Sequence, residues 1–200
     1  SKSSLGMEME ADKIYRYAVL SSRKKNYLGI YEDGKVDVKG LTGKKRHIPL
    51  LIKASFDRME ERLSQVKSPG DFEKAKKDVQ NIVRESYLKL KRREWTDLND
   101  LAFEVVLGKV PKEYSKTTPQ HVKAAALLEK EGVEIAAGDT IRYVKVVKEP
   151  HVKPVQLASK NEVDIDKYVD SLRSTFDQVL DALGLEFDDI IGLTKLERFM

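Results

Sequence analysis

The sequence predicts an α+β fold: a short antiparallel meander, then a mainly helical region carrying a small β element. Three observations predict it. Between residues 13 and 39, runs rich in Tyr, Val and Ile are broken by an Asp-Gly turn. At Pro49 the apolar period lengthens to helical spacing and stays helical to Leu90. Runs rich in β-branched residues then return at 101–107, ahead of a third helical stretch, and at 140–147 and 152–159, ahead of a fourth.

Taken in order, residues 13–20, 26–31 and 35–39 read as three strands. The "EDGK" turn joins the last two, because Asp-Gly supplies the positive φ of a tight hairpin. So small a meander lacks the strands to stand by itself, and it reads as the edge of a larger sheet. Leu51, Ile52, Ser55, Phe56, Met59, Leu63 and Val66 follow one helical stripe. Ser68-Pro69 restarts a helix, with Ser as N-cap and Pro in the first turn. Phe72, Ala75, Val79, Ile82, Val83, Tyr87 and Leu90 line its inner face, so the two helices pair as an antiparallel hairpin. Thr118-Pro119 opens a third helix that stops at Gly132. Asp164 caps a last long helix with Tyr168, Leu172, Phe176, Val179 and Leu183 inward, ending at Gly184.

With 200 residues and a 40% hydrophobic share, the chain can bury a core and is not wholly disordered. It has no run of about eighteen apolar residues and no evident secretory leader. It also has no cysteine, which excludes disulfides, thiolate metal sites and cysteine nucleophiles. The expected location is cytoplasmic. The net charge of +4 conceals an asymmetry. Residues 1–48 carry 11 Lys and Arg against 6 Asp and Glu, whereas residues 161–200 carry 4 against 10. A basic body with an acidic end fits a polyanionic partner for the body.

Most enzyme signatures are missing: no phosphate-binding glycine loop, no nucleophile elbow and no His-Glu-x-x-His. His47, His121 and His151 stand far apart in sequence and read as polar surface residues. The pairs Asp164/Asp166 and Asp188/Asp189 sit at helix starts, where the helix dipole favours them without any metal.

Four stretches carry more. In "SSRKKNYLGIY" alternation puts Lys25, Tyr27, Gly29 and Tyr31 on one face and the apolar Leu28 and Ile30 on the other. A cation, two phenols and a bare glycine backbone suit a sugar-phosphate surface, and equally a charged strand edge that resists aggregation. Lys44, Lys45 and Arg46 add a second cationic run whose contacts would be with a backbone, independent of base sequence. At the third helix, Thr118 as cap and Pro119 leave the Gln120 and His121 amides open to a phosphate, with Lys116 and Lys123 alongside; an ordinary helix start reads the same way. At the end, Leu196, Phe199 and Met200 form one apolar turn that fits either a groove on a partner or the chain's own body.

In this order the pieces resemble the C-terminal part of archaeal family B DNA polymerases. "SSRKKNYLGIY" is similar to the family's Lys-Lys-x-Tyr motif in the palm, and "VKGL…KKRHIP" to the paired-cation segment before the thumb. "TPQHVKAAALLEKEGVEIAAGDTIRYVKV" resembles its thumb. The resemblance implies residues 1–48 as the end of a palm, 49–184 as a thumb and 185–200 as a tail with a clamp-binding motif. It implies that Lys24, Lys25 and Tyr27 hold primer-template duplex near the primer 3′ end. Lys44, Lys45 and Arg46 would touch the duplex backbone, and Gln120, His121 and Lys123 would grip it further back. His47-Ile48 departs from the acidic and aromatic residues many relatives carry there. Leu193 stands where the clamp motif usually has Gln, and Met200 replaces its second aromatic.

The family's Asp-x-Asp-Ser type motif, exonuclease carboxylates and fingers are not found in the 200 residues. The resemblance therefore implies the small, non-catalytic subunit of a split family B polymerase acting in DNA replication. Its meander would complete a partner's palm sheet, with Mg2+ expected in the partner's active site rather than here. The expected partners are a large subunit carrying exonuclease, fingers and palm aspartates, primer-template DNA, and a sliding clamp. A stand-alone, sequence-independent duplex-binding accessory protein is the competing reading, and a charged thermostable domain without DNA affinity is the third.

Overall fold

A computed structural model of the chain describes residues 13–20, 27–39, 47–114 and 118–192. Strands β1 (Tyr17–Leu20), β2 (Tyr27–Ile30) and β3 (Val36–Lys39) form an antiparallel sheet in that order. The hairpin turn depends on Gly34, whose φ of +82° would strain any side chain. Asp33 Oδ1 accepts from the Lys35 amide at 2.9 Å and fixes the same turn. That register sets Gly29 opposite both Ala18 and Asp37. β1 is shorter than the sequence suggests: Lys13 to Arg16 run ahead of it.

One face of this sheet is apolar. Leu28 and Ile30 are buried in a core they share with the helices that follow. Tyr17 packs edge-on against Phe72, with centroids 6.0 Å apart, and its hydroxyl donates to the Leu63 carbonyl. Burial pushes that phenol up to about 12. Arg16 Nη2 donates to the Ser64 carbonyl at 2.7 Å, so β1 is tied to the end of the first helix.

The helical hairpin forms as its stripes require. In α1 (Leu50–Ser64) the residues Ile52, Phe56, Met59 and Leu63 are buried, and in α2 (Pro69–Lys91) Ala75, Val79, Val83 and Leu90. Ser68 caps α2, its Oγ accepting from the Asp71 amide at 3.1 Å. Arg62 of α1 donates to Asp78 at 2.6 Å and Asp71 at 3.1 Å of α2. α2 ends without a glycine. Arg93 takes the left-handed conformation (φ +56°), which costs a non-glycine residue about 1–2 kcal/mol. Its guanidinium offsets this by donating to the Lys160 and Val163 carbonyls at 2.6 and 3.1 Å.

The second sheet is β4 (Phe103–Val106), β5 (Thr140–Lys145) and β6 (Val152–Pro154), again antiparallel in chain order. Helix α3 (Gln120–Lys130) covers it, enclosing a small second core of Leu107, Val122, Ala125, Leu128, Ile141 and Val152. The strand expected over 152–159 ends at Pro154, which brings no N–H to the ladder, and Val155–Leu157 coil into a 3-10 turn. Helix α4 (Ile165–Ala182) is capped by Asp164 and lays Leu172, Phe176 and Val179 on the hairpin. Phe176 meets Phe56 edge-on at 5.7 Å. A short α5 (Phe187–Ile191) follows, where Arg173 bonds Asp188 at 2.6 Å and lies over the Phe187 ring.

Tyr168 joins the two cores. Fully buried in α4, its hydroxyl donates to the Leu101 carbonyl at 2.8 Å and accepts from the Lys145 amide at 3.0 Å. One side chain thus fastens the long helix to β5 and to the turn before β4. Among the described residues no helix is long and apolar enough to cross a membrane.

Candidate nucleic-acid interface

β2 alternates as its sequence predicts. Leu28 and Ile30 face the core, while Tyr27 and Tyr31 are half-buried on the other face. Lys24, Lys25, Lys44, Lys45, Arg46, Lys116, Leu196, Phe199 and Met200 lie outside the described residues. Tyr27 is the part of the Lys-Lys-x-Tyr segment whose geometry is on view.

Tyr27 belongs to a cluster that the sequence reading did not assemble. Asp37, one strand over, accepts from Lys13 Nζ at 2.7 Å, from Tyr27 at 3.2 Å, from Tyr31 at 3.4 Å and from the Tyr15 hydroxyl. Tyr15 also bonds Tyr27 at 3.1 Å, and its ring sits 5.0 Å from that of Tyr31. The Lys13 ammonium first, and then the Tyr15 hydroxyl, hold the Asp37 carboxyl down to about 2. In return Asp37 raises the Lys13 ammonium above the ordinary lysine range. The phenol of Tyr15 is raised by burial first and by its bond to Asp37 next. An ionised carboxylate therefore sits beneath this tyrosine face at every physiological pH, with a lysine balancing it.

Gly29 is not the open backbone that the sequence suggested. The Tyr15 ring lies over it: a Cβ at Gly29 would stand 2.5 Å from Cδ1 and 2.8 Å from Cζ. The glycine admits a tyrosine from its own chain, not a sugar-phosphate. Asp37 was within reach of sequence reasoning, since the Asp33-Gly34 turn fixes it opposite Gly29. Tyr15 was not, because it precedes the ladder and its ring crosses to this face from outside the strand pattern.

At the start of α3 the N-cap is Pro119, not Thr118, and no side chain caps the helix. The Pro119 carbonyl accepts from the Val122 and Lys123 amides at 3.0 Å each, which leaves the Gln120 and His121 amides at the open end. Gln120 is exposed, and His121 and Lys123 are half-buried. Burial first, then the nearby His47, lowers the His121 pKa. Both effects favour the uncharged imidazole at His121. His47 and His121, far apart in sequence, come within electrostatic reach of each other. His47 Nδ1 lies 2.8 Å from the Glu104 carbonyl, on a cleft it shares with Lys53, Asn99 and Arg142.

Asp164 caps α4, and Asp188 and Asp189 sit in the first turn of α5, as the dipole argument required. No three His, Asp or Glu among the described residues gather so as to hold a metal ion.

Residues 2–183 match the model of DNA polymerase family B. DNA polymerase 1 of Saccharolobus solfataricus is 43% identical over 198 residues, covering 99% of this chain and 22% of the relative. DNA polymerase 1 of Aeropyrum pernix is 42% identical over 195 residues, 98% of this chain and 20% of that one. Among solved structures, the family B DNA polymerase of the hyperthermophilic archaeon Pyrobaculum calidifontis aligns with a TM-score of 0.63 and 28% identity, over 90% of this chain and 23% of that one. The chain thus spans about a fifth of the length of the relatives it matches. With nearly the whole of its length matching that family's model, the chain belongs to DNA polymerase family B.

Proposed function

We propose that this chain is the non-catalytic, duplex-holding subunit of a split family B DNA-directed DNA polymerase. Residues 1–48 end the palm, 49–184 form the thumb, and 185–200 make a tail whose Leu196, Phe199 and Met200 contact a sliding clamp. Lys24, Lys25 and Tyr27 hold primer-template duplex near the primer end, and Lys44, Lys45 and Arg46 contact its backbone. Gln120, His121 and Lys123 grip it further along. The palm aspartates, their Mg2+, the fingers and the exonuclease come from a large partner polypeptide, which performs nucleotidyl transfer.

The observation that carries this reading is the placement of Tyr27. It is half-buried on the face of β2 opposite the packed Leu28 and Ile30, in a segment that resembles the family's Lys-Lys-x-Tyr motif. The exposed apolar side chains Ile14 and Leu20, at and just ahead of β1, support the view that this sheet is continued by another strand.

The physical mechanism is backbone electrostatics. Each phosphate neutralised releases condensed counterions, so affinity falls with salt at a log–log slope of about −0.9 per contact. The six cations named above set a slope near −5 if each meets one phosphate. The test is fluorescence anisotropy of a labelled primer-template duplex titrated with the chain across a salt series. The reading requires a steep slope that is indifferent to base sequence, and a slope shallower by about 1 for Lys25→Ala. A flat salt dependence, or equal affinity after Lys25→Ala with Tyr27→Ala, would refute it.

A further inference from the structure

We propose that Asp37 is a positioning residue for duplex binding: with Lys13 and Tyr15 it locks Tyr27 in the orientation in which that tyrosine meets DNA. The inference rests on the reading of Tyr27 as a duplex contact and goes beyond it to a carboxylate that nothing else in the reading uses. Asp37 is otherwise hard to account for. A carboxylate on the DNA-facing side of a sheet repels the polyanion that the surface is meant to hold. Its geometry supplies the reason. Four donors converge on one carboxylate oxygen, three of them tyrosine hydroxyls from residues 15, 27 and 31.

Tyr27 is held from three sides. Its hydroxyl donates to Asp37 at 3.2 Å and lies 3.1 Å from the Tyr15 hydroxyl. Lys13 Nζ donates to it at 3.4 Å. The Tyr15 ring packs against both Tyr27 and Tyr31, with centroids 5.8 and 5.0 Å away, and can reach that place only because Gly29 has no side chain. A phenol fixed in this way loses little conformational freedom when it binds, which is the general source of affinity from preorganisation. Lys13 balances the charge of Asp37, so the lock costs the surface little of its positive potential.

The sign of one substitution separates this proposal from a purely electrostatic or passive role. Deleting an acid beside a phosphate-binding face should tighten DNA binding. The positioning role predicts the reverse. Anisotropy titrations of the full chain with a labelled primer-template duplex should show Asp37→Ala weakened roughly threefold to tenfold. Tyr27→Ala should lose at least as much, and Tyr27→Ala with Asp37→Ala should bind as well as Tyr27→Ala alone or slightly better. Asp37→Asn, which keeps an acceptor and the shape, should recover part of the loss; it also carries the test if Asp37→Ala proves unfolded by circular dichroism. Unchanged or tighter binding by folded Asp37→Ala or Asp37→Asn, or losses that multiply in the double variant, would overturn the positioning role. Wild-type affinity in Tyr27→Ala would instead overturn the underlying reading of Tyr27.

Discussion

Gly29 is the position where one methyl group tests the packing behind the tyrosine cluster. Replacing it with Ala places Cβ 2.5 Å from Tyr15 Cδ1 and 2.8 Å from Cζ, and nearer still to Cε1. Carbon atoms in ordinary contact stand about 3.5 Å apart or more, so the ring must retreat by about 1 Å. That movement carries the Tyr15 hydroxyl away from Asp37 and Tyr27, its two partners. Each such bond contributes about 1 kcal/mol, and the crowding itself costs about 1–3 kcal/mol. Against this, Ala restricts the unfolded chain and returns up to about 1 kcal/mol. The net is a loss of about 2–4 kcal/mol, which for a chain of this size lowers the melting midpoint by about 4–16 °C. Thermal unfolding followed by circular dichroism measures it. In a Tyr15→Ala background the clash is gone, and Gly29→Ala should become neutral or stabilising. A midpoint that rises for Gly29→Ala alone, or an equal fall in both backgrounds, would refute the packing argument.

The hydroxyl of Tyr168 gives a second stability test. Tyr168→Phe leaves the Leu101 carbonyl and Lys145 amide without their buried partner, at about 2–4 kcal/mol, read as a fall in the urea midpoint with unchanged slope. Acid should act through Asp37 and Glu162, both held down to about 2, chiefly by Lys13 and Lys153 respectively. Their ionised forms are the ones the fold binds, so their stabilisation is complete above the usual carboxylate value of about 4 and is lost as pH falls toward 2. Melting curves through that window should steepen in their decline, and Asp37→Asn should flatten part of it; an identical pH dependence in wild type and Asp37→Asn would contradict the assignment.

Much of this fold was legible because the deciding forces are local or periodic. The stripes of α1, α2 and α4 named their own buried faces, Ser68 and Asp164 announced their caps, and Asp33-Gly34 fixed a hairpin and its register. Where the structure departs, a longer-range contact decides. Arg93 ends α2 in place of a glycine because residues 160 and 163, far along the chain, accept its guanidinium. Pro154 ends β6 early because it lacks an N–H. The site divides the same way. Alternation assigned Tyr27 and Tyr31 to the correct face of β2, but the cluster beneath them needs Tyr15 and Lys13, which no strand period places there. The proximity of His47 to His121 likewise depends on how the start of α1 meets the second sheet.

The central claim, that this chain grips duplex while the reacting carboxylates are borrowed, is tested most directly by primer extension. Purified chain, a labelled primer-template, Mg2+ and all four deoxynucleoside triphosphates should give no extension, and adding a polypeptide that carries the palm aspartates should give it. The same mixture with Lys25→Ala and Tyr27→Ala in this chain should extend far less. Extension by the chain unaided, or by the mixture regardless of those two substitutions, would contradict the account.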